Sequence, residues 1–102
     1  MVSRIVKLEF HPEKMKDFLD FFDEVKFKVN AFSGCKGMQL LRDKSNENIV
    51  FTYSIWESEA DLENYRTSET FSKIWPVIKQ WFAAKPEAWT LKNHFDGLDL
   101  FN

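Results

Sequence analysis

The sequence predicts an α+β domain in which helices cover one face of a four-stranded antiparallel sheet, in the ferredoxin-like order β-α-β-β-α-β. Three observations predict this fold. Residues 2–10 and 49–56 alternate between two side-chain faces, which is the period of a strand. Residues 13–32 place apolar side chains at spacings of three and four, which is the period of a helix. Two serine caps, Ser58 and Ser68, then open a second helical region in two parts, and a last strand follows it.

The first strand and the first helix are separated by a proline. We predict the strand from Val2 to Phe10 and its end at His11-Pro12, because proline suits the first turn of a helix. The helix then runs to about Phe32. Its predicted core-facing stripe consists of Met15, Phe18, Leu19, Phe22, Val25, Val29 and Phe32.

The next two strands form a predicted hairpin. A turn at residues 33–37 contains two glycines, and strands over residues 38–42 and 49–56 flank a polar loop. Neither face of the strand at 49–56 carries a charged side chain, which predicts burial on both sides of the sheet. Because the helices of a small α+β domain cover only one sheet face, the other face is predicted to pack against a second copy of the chain. The sequence therefore predicts a homodimer.

The second helical region is predicted from its caps. Asp61 lies three residues after Ser58, in the register of a capping box. Pro76 falls inside the second part, where its missing N–H predicts a kink. The fourth strand is predicted over residues 87–95. The tail that follows is apolar at Leu98, Leu100 and Phe101.

Length, charge and cysteine content restrict the class of protein. A chain of 102 residues forms one domain, here residues 1–102 with a core at 2–95 and a tail at 96–102. A net charge of −2 with interspersed signs provides no basic surface for nucleic acid or an anionic membrane. No apolar run reaches the length of a membrane span. The single Cys35 excludes an intrachain disulfide and a multi-cysteine metal site, so we expect no metal and a cytoplasmic location.

Two segments of the chain resemble a known family. The residues GCKGMQLLRD after the first helix and FTYSIWESEADLENYRTSETF later are similar to the antibiotic biosynthesis monooxygenase family, and the resemblance covers residues 2–95. Its most recognisable parts are residues 56–58 (Trp-Glu-Ser) and residues 68–71. The resemblance implies a dimeric α+β barrel, in which two sheets close face to face. It also implies one of several activities, since the family contains cofactor-independent quinol and polyketide monooxygenases as well as haem-degrading enzymes.

The haem-degrading branch of that family uses an asparagine on the first strand, a tryptophan and an axial histidine. By resemblance these positions fall at Val6, Tyr65 and Trp75, and none of the three residue types matches. Because tryptophan does not ligate iron, we expect no haem and no other cofactor. The resemblance therefore favours the monooxygenase branch, in which a tryptophan matching Trp56 is common.

A cofactor-free monooxygenase needs a dry apolar pocket, a proton acceptor and hydrogen-bond donors for a phenolate. We predict a pocket between the sheet and the second helical region. The candidate catalytic residues are Tyr65, whose hydroxyl can hydrogen-bond a substrate oxygen, and His94, which titrates near neutral pH. Each residue of the predicted wall can instead serve only the structure, the rings by packing the core and the hydroxyls by bonding locally. That predicted wall consists of Thr52, Ser54, Trp56, Tyr65, Phe71 and Trp75.

Two functions stay open from the sequence. The first is a cofactor-independent monooxygenase that oxidises a quinol-like or phenolic aromatic small molecule with dioxygen. The second is a dimer of the same fold that binds a small apolar ligand and is non-catalytic or catalyses a different reaction. No paired-carboxylate, HxxxH or glycine-rich phosphate motif adds a third class.

Overall fold

The computed structural model describes residues 1–98 and confirms the predicted α+β fold. Within these residues the four strands form one antiparallel sheet in the order β2-β3-β1-β4. Leu100 and Phe101 of the predicted apolar tail lie outside the described residues. The elements are β1 (Val2–Glu9), a 3-10 turn (Pro12–Lys14), α1 (Met15–Asn30), β2 (Cys35–Arg42), β3 (Ile49–Trp56), α2 (Glu59–Arg66), α3 (Glu69–Lys79) and β4 (Glu87–Lys92).

The strand register divides the sheet into a helix-side face and an open face. β1 and β3 pair along their whole lengths, from Val2 opposite Trp56 to Glu9 opposite Ile49. Since side chains alternate along a strand, residues two apart share a face. The helix-side face carries Arg4, Val6 and Leu8 of β1, Val50, Thr52, Ser54 and Trp56 of β3, Met38 and Leu40 of β2, and Ala88 and Thr90 of β4.

The buried core lies at one end of the helix-side face. Phe10 is 1% exposed and stacks on Phe18 with ring centroids 4.2 Å apart. Phe10 follows β1 and does not belong to it. It forms an isolated bridge with Phe82, which ties the segment after α3 to the first strand. The core cluster consists of Leu8, Phe10, Met15, Phe18, Val50 and Ile78.

The open face of the sheet presents apolar side chains to its surroundings. Trp89 and Leu91 are each 43% exposed, and Leu41 is 48% exposed. They share this face with Ile5 and Tyr53, which lie opposite each other in the register. Among residues 1–98, the sheet residues of the buried core all come from the other face. Within the described part of the chain, the helices therefore leave the apolar open face partly exposed.

Three further boundaries differ from the sequence prediction. β2 begins at Cys35, because Cys35 pairs with Trp56 across an irregularity that ends at Gly37. α1 ends at Asn30, ahead of Phe32. β4 ends at Lys92 instead of residue 95, because Lys92 pairs with Val2 and β1 offers no earlier residue to pair with. None of the helices within residues 1–98 has the length and hydrophobicity needed to cross a bilayer.

Candidate functional site

A cavity of about 410 Å³ lies between the helix-side face of the sheet and the helices. An apolar cavity of about 150 Å³ already holds a benzene molecule, so this space accommodates more than one aromatic ring. Pockets of roughly 300–1,000 Å³ are typical of small-molecule sites. The described lining is mostly apolar and includes Val6, Phe18, Phe21, Phe22, Val25, Val29, Met38, Leu62, Ile74 and Ile78.

The six residues of the sequence-predicted wall all border this cavity. Thr52, Ser54 and Trp56 alternate along β3, so their side chains share the helix-side face. Tyr65 comes from α2. Phe71 and Trp75 come from α3, where their four-residue spacing puts them on one helix face with their rings stacked at 5.6 Å. That these residues bind a ligand stays a prediction.

Two local interactions fix the end of β3, which carries Trp56, and the start of α2, which carries Tyr65. Ser58 caps α2 by accepting a hydrogen bond from the Asp61 backbone N–H at 3.1 Å, and its hydroxyl donates to the Asp61 carboxylate at 2.9 Å. Gly34 lies against this cap with φ of 87°, and a Cβ added there would come within 2.4 Å of the Asp61 side chain. Its carbonyl accepts the Glu57 N–H at 2.8 Å, which anchors the end of β3. A glycine is therefore required at position 34 for the chain to turn beside the cap.

Trp56 is the anchor of the cavity wall. It is 1% exposed, and its indole N–H donates a hydrogen bond to the Ser54 hydroxyl at 2.9 Å. The indole N–H is thus already used, and it is not free to bind a substrate. The Ser54 hydroxyl accepts that bond and keeps its own proton to donate. Ser54 is therefore a hydrogen-bond donor that β3 presents to the cavity, beside the hydroxyl of Thr52.

Tyr65 sits in the middle of a chain of aromatic contacts. Its ring stacks on Trp56 at 5.1 Å and meets Phe32 and Phe71 edge-on at 5.2 and 5.4 Å. Burial, and to a smaller extent the neighbouring Cys35, raises the pKa of Tyr65 to about 12. The phenol therefore keeps its proton at neutral pH. Tyr65 can donate a hydrogen bond in the cavity, but it is not a proton acceptor there.

The raised pKa of Tyr65 predicts how its removal changes alkaline stability. Since the folded state holds the proton up to about pH 12 and the unfolded chain releases it near pH 10.0, unfolding becomes more favourable as the pH rises between these values. The contribution is fully present below pH 10.0 and is lost through this window. We expect the free energy of unfolding to fall less in Tyr65→Phe than in the wild type as the pH rises through this window. Urea denaturation at each pH measures both. Equal losses in the two proteins would contradict this.

His94, the other catalytic candidate, lies outside the cavity. It follows the end of β4, its side chain is exposed, and it does not border the cavity. Among the described lining residues there is no histidine, aspartate or glutamate. Residues 1–98 likewise contain no cluster of three or more side chains that could hold a metal ion. The proton acceptor that the sequence predicted is therefore not found in the described wall.

Sequence reasoning missed the two arginines that border the cavity. Arg4 stands on the helix-side face of β1, and its Nη1 donates to the Thr90 hydroxyl on β4 at 2.7 Å. Arg66 ends α2 and pairs with Glu63 at 3.2 Å. One signal was available, since Arg4 is the only charged residue among the inward-facing positions of an otherwise apolar strand face. A charge on such a face needs a partner or a function.

The arginines mark the end of the cavity that meets a second, shallower groove. That groove is bordered by Glu59, Glu63 and Thr90, and it shares Leu62 and Arg66 with the cavity. Burial lowers the pKa of Arg4, the positive charge of Arg66 lowers it further, and Glu63 acts in the opposite direction. The site thus combines an apolar interior with a charged end.

One comparison with known proteins identifies a family, and another concerns the fold. A sequence profile described as antibiotic biosynthesis monooxygenase matches residues 1–75. No curated protein matches the chain.

Three similar solved structures each have a TM-score of 0.85. A protein described as an antibiotic biosynthesis monooxygenase is 18% identical, covering 91% of this chain and 98% of its own. A conserved protein from Methanosarcina mazei Go1 is 20% identical, covering 91% and 93%. A Mycobacterium tuberculosis protein is 14% identical, covering 94% and 97%. At these identities the structures establish the likeness of fold.

Proposed function

The chain belongs to the antibiotic biosynthesis monooxygenase family, and on that premise we propose that it is a cofactor-independent monooxygenase that oxidises a quinol-like or phenolic aromatic small molecule with dioxygen. The observation that carries the proposal is the aromatic cavity, whose wall includes Trp56, Tyr65, Phe71 and Trp75. Apolar walls keep water from the reacting groups, and aromatic walls stack on an aromatic ring.

In the proposed reaction the substrate supplies every electron. Loss of the phenol proton gives a phenolate, which transfers one electron to dioxygen. The resulting radical and superoxide combine into a carbon–oxygen bond, and protonation gives a hydroperoxide. Cleavage of the O–O bond then releases water and leaves a quinone carbonyl. One oxygen atom enters the substrate and the other leaves in water, so no external reductant is needed.

The hydroxyl groups of the cavity stabilise the phenolate and do not accept its proton. Ser54 and Tyr65 both have hydroxyl protons that can be donated to the substrate oxygen, and donors aimed at a developing charge stabilise the transition state. The described wall contains no carboxylate or imidazole, so in this proposal the phenol proton passes by way of water to the carboxylate of Glu59 or Glu63 in the adjoining groove. His94 would reach the reaction only from outside the cavity.

Oxygen consumption with a panel of naphthoquinols and anthrones tests the proposal. We expect saturable uptake above autoxidation in buffer that contains a chelator, and one heavy oxygen atom in the product when isotopically labelled dioxygen is supplied. Tyr65→Phe should slow turnover, since it removes one donor and keeps the ring. Tyr53→Phe is the matched control, because it removes the chain's other phenol from the opposite sheet face. Uptake that never exceeds the protein-free rate would reject the activity.

The absence of a proton acceptor from the described wall favours one alternative. We propose as a second candidate that the cavity binds an apolar ligand without oxidising it. Stoichiometric ligand binding in the same cavity, combined with no oxygen uptake across the panel, would select this function.

We expect no axial haem complex. The three positions at which the haem-degrading branch carries its functional residues, Val6, Tyr65 and Trp75, all border the cavity, and none supplies an imidazole. A haemin titration followed by absorbance should therefore show no saturable, one-per-chain spectrum of a histidine-ligated iron. Such a spectrum would contradict the prediction, and loss of it in a His94→Ala variant would identify the ligand.

We propose that the working form is a homodimer closed across the open sheet faces. Proteins of this fold are commonly dimeric, and the open face carries half-exposed apolar side chains, among them Trp89 and Leu91. Exposed apolar patches of this kind mark interaction surfaces. A stable interface buries more than roughly 1,000 Å² in total.

A further inference from the structure

We propose that Arg4 and Arg66 form a carboxylate site at the charged end of the cavity, and that the physiological ligand is an aromatic small molecule that bears a carboxylate. This deepens the proposed function, on which the assignment of the ring as the oxidised part rests. The arrangement of charges and hydrogen bonds around the two arginines supports the carboxylate.

The two arginines come from separate elements and border the same cavity. Arg4 lies on β1 and Arg66 at the last position of α2, yet both border the same cavity. Arg66 is close enough to act electrostatically on Arg4. Like charges repel, so a fold that brings two cations to one apolar cavity raises its own energy unless an anion lies between them.

The carboxylates nearby lie beside the cavity and not on its wall. Glu63 pairs with Arg66, and the charged groups that act on Arg4 are Arg66 and Glu63. Glu59 and Glu63 border the adjoining groove, whereas the two arginines are the only charged side chains among the described residues that border the cavity. Burial is the first cause of the lowered pKa of Arg4, and the positive charge of Arg66 is the second. A bound anion would offset the repulsion between the two arginines.

Hydrogen-bonding capacity is also left over. A guanidinium has five N–H donors in a rigid fork. The described structure records one bond from Arg4, to Thr90, and one from Arg66, to Glu63. Within the described residues, most donors of both groups are thus without a protein acceptor.

The geometry favours a carboxylate over a lone phenolate oxygen. Guanidinium forks match planar groups with two oxygen atoms, which they bind through paired N–H bonds. The arginine end also borders the open groove, and the Arg66 side chain is 47% exposed. A permanently charged group can keep part of its hydration there, while the ring lies among the aromatic side chains of the interior.

A matched pair of ligands tests the site without requiring turnover. Naphthalene-2-carboxylate and naphthalene-2-carboxamide share ring and shape and differ in charge. By calorimetry at low salt we expect the carboxylate to bind the wild type about tenfold more tightly than the amide, the usual size of a charge-assisted hydrogen-bond effect. The preference should shrink as salt is added, because the site is partly exposed.

Arginine variants then assign the preference. Arg4→Met and Arg66→Met should each reduce the carboxylate preference several-fold. Arg42→Met is the matched control, since Arg42 lies on β2, does not border the cavity and donates to the Glu47 carbonyl at 2.8 Å. Arg66→Met changes a half-exposed side chain at a helix end, so it remains informative if Arg4→Met does not fold.

The proposal is overturned if the wild type binds amide and carboxylate equally or binds neither. It is also overturned if the preference survives in Arg66→Met, or if Arg42→Met loses as much of it. A carboxylate preference without oxygen uptake by any quinol would reject the oxidation and leave the anion site standing. Oxygen uptake with neutral quinols and no carboxylate preference would do the reverse.

Discussion

Trp56→Ala should lower the free energy of unfolding by about 3–5 kcal/mol, the cost of truncating a buried aromatic ring to a methyl group. Trp56 is 1% exposed, stacks on Tyr65 and meets Phe32 edge-on at 6.3 Å. The truncation would enlarge an existing cavity, and we do not expect the surrounding rings to move in and fill the added space. Urea denaturation followed by circular dichroism measures the loss.

Trp56→Phe is the matched control for this prediction. It keeps an aromatic ring against Tyr65 and removes the hydrogen bond to Ser54. We expect it to cost about 1–3 kcal/mol, the range for leaving one buried polar group without its partner. If Trp56→Ala costs no more than Trp56→Phe, the indole ring does not anchor the wall as described.

Ile5→Glu should convert the proposed homodimer into monomers. Ile5 lies on the central strand of the sheet, opposite Tyr53 on one side and Trp89 on the other, so the new carboxylate would enter the middle of the open face. An unpaired charge buried at an interface costs several kcal/mol. Light scattering should report twice the protomer mass for the wild type and a single protomer of 12.2 kDa for the variant.

Phe27→Glu provides the control for the interface. Phe27 is 71% exposed on α1 and lies outside the sheet. The variant should therefore stay dimeric. A monomeric wild type, or a dimer that tolerates Ile5→Glu, would show that the open face is not the contact between two copies.

The elements that the sequence predicted well are those decided by neighbouring residues. The strand at 49–56 has its predicted bounds, and Ser58 and Ser68 cap their helices through backbone N–H groups three residues on. Both features depend on short-range periodicity and hydrogen bonding. The end of β4 was wrong because it depends on where β1 begins, and Lys92 has its partner at Val2.

The candidate site shows the same contrast between features set by neighbouring residues and features set by distant ones. The aromatic wall could be placed from the sequence, since Trp56 ends a strand just where the second helical region begins. The arginine end could not, because Arg4 and Arg66 meet only through the strand register and the path of α2. A catalytic role of His94 stays a prediction, but the residue does not border the cavity. Its alternation with Thr90 and Lys92 continues in the sequence after the hydrogen-bonded pairing has stopped.

We expect an aromatic ligand to occupy the cavity between the sheet and the helices. The four tryptophans provide built-in reporters, because Trp56 and Trp75 border the cavity, whereas Trp81 does not and Trp89 lies on the opposite face. Nitrogen–proton NMR spectra recorded during a titration with 2-naphthol resolve their indole signals. We expect saturable shifts of Trp56 and Trp75 with little change at Trp89. Saturable shifts of Trp89 alone, or no shift of Trp56 and Trp75 at ligand excess, would contradict the account.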